Sequence, residues 1–191
     1  IALSAHFGNW ELLSVALPSL GYPAGVLARR LRYPEYEQFL WGMRSRLGVT
    51  TLARGSLKEA AEVLRANWLL GVVPDQDVDS LEGVFVEFFN RPTYTPVGPA
   101  ALALITGAPI VPCFIVRAGR RFNVFIEDPI EPPRSGNRQQ DLVAMTQAWS
   151  RVVESYIRRY PDHWVWMHRR WKTQPSRADT SSLQQFASST Q

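Results

Sequence analysis

Cysteine occurs once in this chain of 191 residues and histidine three times. The single thiol, Cys113, excludes a disulfide framework, and its place in the apolar run 110–116 reads as a buried structural group. Three histidines leave no room for a histidine-rich metal centre, and no resident metal or cofactor is expected. The G-x-S-x-G elbow, the G-x-G-x-x-G fingerprint, the P-loop and the H-E-x-x-H motif are all missing, and there is no internal repeat. Nothing resembles a nucleic-acid-binding motif, so nucleic acid is not an expected partner. Residues 97–116 come nearest to a membrane span, but Pro99, Gly107, Pro109 and Pro112 interrupt them, and they read as a helix followed by a strand. The chain also begins without methionine and inside an apolar stretch, from which a preceding segment carrying any anchor is expected.

A chain with 46% hydrophobic and 20% charged residues is long enough for one domain with a sizeable core and short for two. The net charge of +4 suits a phosphate-bearing ligand, an anionic membrane surface or an acidic partner protein. Apolar strand-like runs at 25–28, 50–53 and 69–73 alternate with helical patterns at 34–47 and 56–68. That rhythm predicts an α/β fold, a mixed and largely parallel sheet flanked by helices. Residues 98–106 read as a helix, 109–116 and 122–127 as a hairpin turning near Gly119, and 139–160 as a helix packed on the sheet. The domain is expected to span residues 1–174. The Ser-, Thr- and Gln-rich stretch 175–191 is expected to be a disordered tail.

The motif with the most chemistry is His6-Phe7-Gly8-Asn9-Trp10-Glu11. Residues 1–5 read as a strand, Gly8 breaks it, and Asn9 is a suitable N-cap for a helix from Trp10. A carboxylate on one imidazole nitrogen fixes the tautomer and leaves the other nitrogen free to take a proton from a hydroxyl. Glu11 is the expected orienter of His6. Five residues apart on a helix, two side chains diverge by about 140°, so the pair meets only if the chain bends, and Gly8 supplies the bend. Amides at Gly8 and the helix start are then candidates to stabilise an oxyanion. A structural histidine at a strand end is the plainer alternative.

Val73-Pro74-Asp75-Gln76-Asp77 places two acids beyond the end of an apolar strand, the edge where open α/β sheets bind ligands. Asp75 and Asp77 could hold a divalent metal for a sugar-nucleotide transferase, or simply cap turns. A calcium loop is excluded, because Ser80 and Val86 stand where glycine and glutamate are required. Residues 83–89 are aromatic-rich and read either as core strand or as one wall of an apolar groove. Basic residues cluster at 29–32, at Arg44, Arg46 and Arg54, and at 168–172. The last cluster is interleaved with Trp164, Trp166 and Trp171, which suits an anionic membrane surface or packing of the C-terminal segment on the domain. A non-catalytic lipid-binding module is therefore a further alternative.

Taken together, HFGNWE, PDQD, GVFVEFF with the following NRPTYTPVGPAALALITGAPIVP, and WVWMHRRWKT resemble the bacterial lipid A biosynthesis acyltransferases, a branch of the lysophospholipid acyltransferase superfamily. The resemblance covers roughly residues 1–174. It implies a glycerol-3-phosphate acyltransferase-like fold and transfer of a fatty acyl chain from acyl carrier protein, or CoA, to a hydroxyl of a lipid A precursor, related glycolipid or lysophospholipid. It implies work at the cytoplasmic face of the bacterial inner membrane. It makes His6 the catalytic base and Glu11 its partner, matches Arg44 and Asp75 to functional family positions, and links Arg54 and the block containing Gly83, Phe85 and Phe88 to acceptor recognition. Glu87 and Asn90 stand where the family commonly has proline and glycine.

Overall fold

A computed structural model describes residues 1–16 and 18–176. Its main sheet has six strands: β1 (Ala2–Leu3), β2 (Ala24–Ala28), β3 (Val49–Ala53), β4 (Leu69–Val72), β7 (Val111–Ala118) and β8 (Arg121–Ile126). They run in the order β3-β2-β4-β1-β7-β8. All neighbours are parallel except β7 and β8, which form the expected hairpin. The expected α/β class, with a largely parallel mixed sheet, is the one observed. A separate antiparallel pair, β5 (Gly83–Phe88) with β6 (Arg91–Pro96), lies apart from it.

Among the described residues, five α-helices flank the sheet: α1 (Trp10–Ala16), α2 (Pro34–Arg46), α3 (Leu57–Arg65), α4 (Gly98–Thr106) and α5 (Arg138–Arg159). Local chemistry sets their ends. Ser56 caps α3 by accepting from the Glu59 amide, Asn137 caps α5 by accepting from the Gln140 amide, and Gly107 closes α4 in the left-handed conformation at φ 76°. The apolar stripe Leu142, Met145, Trp149, Val153 and Ile157 of α5 recurs at three- and four-residue spacing and is wholly buried. Helices α3, α4 and α5 contribute to one large apolar cluster with alternate residues of the strands. The cluster containing Leu13 of α1 holds only Cys113 and Ile115 besides, and α2 buries no residue at all. One face of the sheet is thus thickly covered and the other thinly, which leaves a cleft.

The strand β6 and its hairpin with β5 were not anticipated from sequence. Phe89 and Asn90 form a two-residue turn with φ 53° and 56°, the left-handed geometry that matches strand twist. Asparagine tolerates that conformation better than most residues other than glycine, which suits Asn90 to the turn. Glu154 accepts from the Phe89 amide at 2.7 Å, and the Gln147 side chain pairs with both the amide (2.7 Å) and carbonyl (2.9 Å) of Glu87. These bonds fasten the hairpin to α5. Of the expected tail, residues 177–191 lie outside the described residues.

Candidate active site

His6 leaves the sheet just after β1 and is half-buried, while Asp75, three residues beyond β4, is only 2% exposed. Because β1 and β4 are parallel neighbours, the loops at their C-terminal ends meet. The imidazole Nδ1 lies 2.7 Å from Asp75 Oδ1, and the His6 backbone amide donates to Asp75 Oδ2 at 3.0 Å. A carboxylate can only accept, so Nδ1 carries the proton and Nε2 is left with a lone pair. Trp164 Nε1 donates to Asp75 Oδ2 at 2.9 Å. Burial pushes the Asp75 carboxyl up, but the hydrogen bonds and charge of His6, with the Trp164 bond, outweigh it and hold the carboxyl below the usual aspartate value.

The expected His6–Glu11 contact is replaced by two separate pairs. Glu11 meets Arg44 instead, through Arg44 Nε to Oε2 at 2.9 Å and Nη2 to Oε1 at 2.5 Å. This two-pronged bond ties α1 to α2 across the cleft mouth. Five residues along the chain, Glu11 is carried away on the helix, and the acid that reaches His6 is the one delivered by the neighbouring strand. Gly8 does bend the chain, at φ 58°, but for a different reason. A Cβ there would lie 2.0 Å from the Ile115 carbonyl oxygen, and the Gly8 amide donates to the His163 carbonyl at 2.7 Å. That amide is therefore not available to an oxyanion.

The other carboxylate of the acidic pair is equally engaged. Asp77, 2% exposed, accepts from the Thr173 amide and hydroxyl at 2.8 Å each, while its own amide donates to His168 Nε2 at 2.8 Å. Both acids of the metal-binding alternative are thus engaged by protein donors, and among the described residues no cluster of three or more His, Cys, Asp or Glu side chains could hold a metal ion.

His6 opens onto a cleft of about 750 Å³ on the thinly covered face of the sheet. Gly25, Gly71 and Cys113 contribute to its lining, and so do Arg44 and Arg54. Burial pushes the Cys113 thiol up to about 11, so it stays protonated and unreactive, as expected of a structural cysteine. Gly83, Phe85 and Phe88 do not line this cleft. Phe88 is 1% exposed and packs against Trp164, Trp171 and the Arg170 guanidinium, so it belongs to the core and not to a groove wall. Gly83 is required by the cross-strand ring of Tyr94, which a Cβ would approach to 2.6 Å, and Phe85 packs edge-on against the same ring.

Three participants escaped the sequence reading: Trp164, His168 and Thr173. For Trp164 and His168 the signal was the Trp, His and Arg interleaving of 164–172, which was open to a membrane reading, whereas Thr173 stands just beyond it. The structure decides largely for packing. Trp164 and Arg170 are buried, and Arg170 bonds the Tyr94 carbonyl at 2.5 Å and Thr95 Oγ1 at 2.6 Å. Burial draws the Arg170 pKa down to about 10, which still leaves it charged at neutral pH. Backbone bonds from Val165 to His6 and from Gly8 to His163 make this segment the clasp that holds the histidine loop.

The structure is thus a largely parallel α/β sheet carrying an acid-held imidazole at its C-terminal edge, beside a cleft. The chain belongs to the family of bacterial lipid A biosynthesis acyltransferases, whose model matches residues 1–173. It is 31% identical over 187 residues to a phosphatidylinositol mannoside acyltransferase of Mycobacterium tuberculosis, covering 93% of this chain and 56% of that protein. It is 31% identical over 175 residues to the protein of that name in Mycolicibacterium smegmatis, with 87% and 54% covered. Against the lipid A biosynthesis lauroyltransferase of Escherichia coli, identity is 33% over 141 residues, 71% of this chain and 44% of the other. The chain spans about half the length of the curated relatives it matches.

Proposed function

We propose that this protein is an O-acyltransferase that moves a fatty acyl chain from a thioester, on acyl carrier protein or CoA, to a hydroxyl of a membrane glycolipid. The observation that carries the reading is the 2.7 Å contact between His6 Nδ1 and buried Asp75, with the other ring nitrogen left for the cleft. His6 Nε2 takes the proton of the acceptor hydroxyl as its oxygen attacks the thioester carbonyl carbon. The tetrahedral intermediate collapses with C–S cleavage, and the imidazolium returns the proton to the departing thiolate. Asp75 holds the ring and stabilises its positive charge in between. Glu11 and Arg44 act as a brace that positions α1 beside the histidine.

The walls of the cleft fit these substrates. Small residues at Ala2, Gly25, Gly71 and Cys113 leave apolar space beside the sheet for an acyl chain. Arg29 and Arg54 line the same cleft, and neither pairs with a carboxylate among the described residues. Burial, then repulsion from Arg29, lowers the Arg54 pKa, and a phosphate bound between them relieves that repulsion. Phosphates occur in both donors and in phosphorylated glycolipid acceptors. The names of the relatives favour a glycolipid acceptor. The decisive experiment incubates the protein with radiolabelled palmitoyl thioesters of acyl carrier protein and of CoA. Lipid A precursor, mannosylated phosphatidylinositol and lysophospholipid are offered in parallel. Label is expected in one of the glycolipids, and its absence from every lipid overturns the proposal.

No described helix is long and apolar enough to cross a membrane. Besides exposed Trp166 and Met167 in the C-terminal segment, a surface that suits a bilayer lies around α2. Tyr33, Tyr36 and Phe39 are 55%, 65% and 70% exposed there, beside Arg29, Arg30 and Arg32. Aromatic rings among arginines are the composition that binds anionic headgroups, and this patch adjoins the cleft through Leu31, Leu40 and Trp41. The double variant Tyr36→Ser and Phe39→Ser is expected to weaken sedimentation with phosphatidylglycerol-containing vesicles by about tenfold, the effect of ~1.4 kcal/mol of lost apolar contact. Unchanged sedimentation would place the membrane contact elsewhere.

A further inference from the structure

The cleft contains a second imidazole that the mechanism above does not use. His168 shares the cleft lining with His6, and its Nε2 accepts the Asp77 backbone amide at 2.8 Å. A nitrogen that accepts an N–H bond carries no proton, so His168 is neutral and bears its hydrogen on Nδ1. That Nδ1–H makes no hydrogen bond to any described residue, and it is not among the buried polar atoms left without a partner, so it is reachable from solvent in a residue that lines the cleft. The neutral form is also favoured by its surroundings. Burial, the largest effect, and the charges of Arg170 and His6 lower its pKa, against the raising influence of Asp75 and Asp77.

The ring is held in place. Asp77, whose amide fixes Nε2, is itself clamped by the amide and hydroxyl of Thr173, and Arg170 anchors the intervening chain to the β6 backbone. A neutral donor on a rigid support, beside the proposed base, is what a developing negative charge requires. The Gly8 amide, one of the oxyanion donors expected from sequence, is taken by His163. Building on the acyl-transfer reading, we propose that His168 is a further catalytic residue, whose Nδ1–H donates to the acyl carbonyl oxygen as it becomes an oxyanion. No proton leaves His168 in the step; the hydrogen bond shortens as charge builds and relaxes when the C–S bond breaks.

Two isosteres separate this role from a structural one. Asparagine places an N–H near the Nδ1 position but has nothing for the Asp77 amide. Glutamine places an oxygen near the Nε2 position and keeps that amide satisfied, but loses the cleft donor. Transfer of label from palmitoyl-CoA and palmitoyl-acyl carrier protein to the acceptors above is measured with melting temperature for each variant. His168→Gln is expected to melt near the parent and to lose about 10²-fold in kcat, the scale of one oxyanion donor. His168→Asn is expected to melt lower yet to keep kcat within about fivefold. Folded variants that lose kcat equally, that keep it equally, or in which asparagine is the slower overturn the proposal. An unmodified protein that transfers no label would sink the acyl-transfer reading itself, whereas an active one indifferent to His168→Gln sinks only this step.

Discussion

Replacing His6 with alanine is expected to lower acyl transfer by about 10²–10⁴-fold, the range for a positioned general base, and to lower melting modestly, because Asp75 loses its imidazole donor but keeps the His6 amide and Trp164 Nε1. Asp75→Asn should reach a similar loss by another route. The carboxylate accepts from His6 Nδ1, the His6 amide and Trp164 Nε1. An asparagine has one oxygen for these three donors and turns its amide group against at least one of them. The ring is then free to adopt the tautomer with its proton on Nε2, which cannot act as base. Stability also falls, by about 1–3 kcal/mol for donors left unmatched in a buried site. A rate within fivefold of the parent for either variant would remove the dyad.

The same carboxylate makes a pH prediction. Its folded-state pKa lies below the unfolded value of 3.8, so it contributes stability that is present above about pH 4 and lost as pH falls further. The parent should lose more melting temperature below pH 4 than Asp75→Asn does. Parallel acid limbs for the two proteins would contradict the assignment.

Gly8→Ala is expected to be strongly destabilising, because among the glycines a Cβ at Gly8 makes the closest approach to its surroundings. The residue sits at φ 58°, which costs an alanine roughly 1–2 kcal/mol, and the new Cβ would overlap the Ile115 backbone oxygen at 2.0 Å. Backbone on β7 cannot swing aside as a side chain can, so the histidine loop must move. Together the two effects amount to about 2–5 kcal/mol and a fall of about 5–15 °C in melting temperature. Acyl transfer should fall well beyond that loss of stability, since His6 is two residues away. Melting within 2 °C of the parent would show that the close approach has no consequence.

Much of this architecture could be read along the chain. The alternation of apolar runs with helical stripes pointed to the parallel sheet, and the apolar spacing of α5 pointed to its buried face. The motifs were legible too: His6 and Asp75 both emerged as candidates. What did not emerge was their partnership. Local spacing favoured Glu11, because five residues look near on paper, whereas the order β4-β1 places Asp75 beside the ring from 69 residues away. The hairpin β5–β6 was missed for a similar reason, since a Phe-Asn turn is a weak local signal and its strands are stabilised by α5 from afar.

By itself, then, the chain of residues determined its element types, its family and the short list of side chains able to do chemistry, because periodicity, capping and motif composition are local properties. The tertiary structure alone decided which acid serves the imidazole, which acid is occupied by an arginine, and that the C-terminal tryptophans and arginines close over the site. Those outcomes depend on strand order and on the competition of buried donors for a few oxygens, and neither is written in any stretch of sequence shorter than the fold.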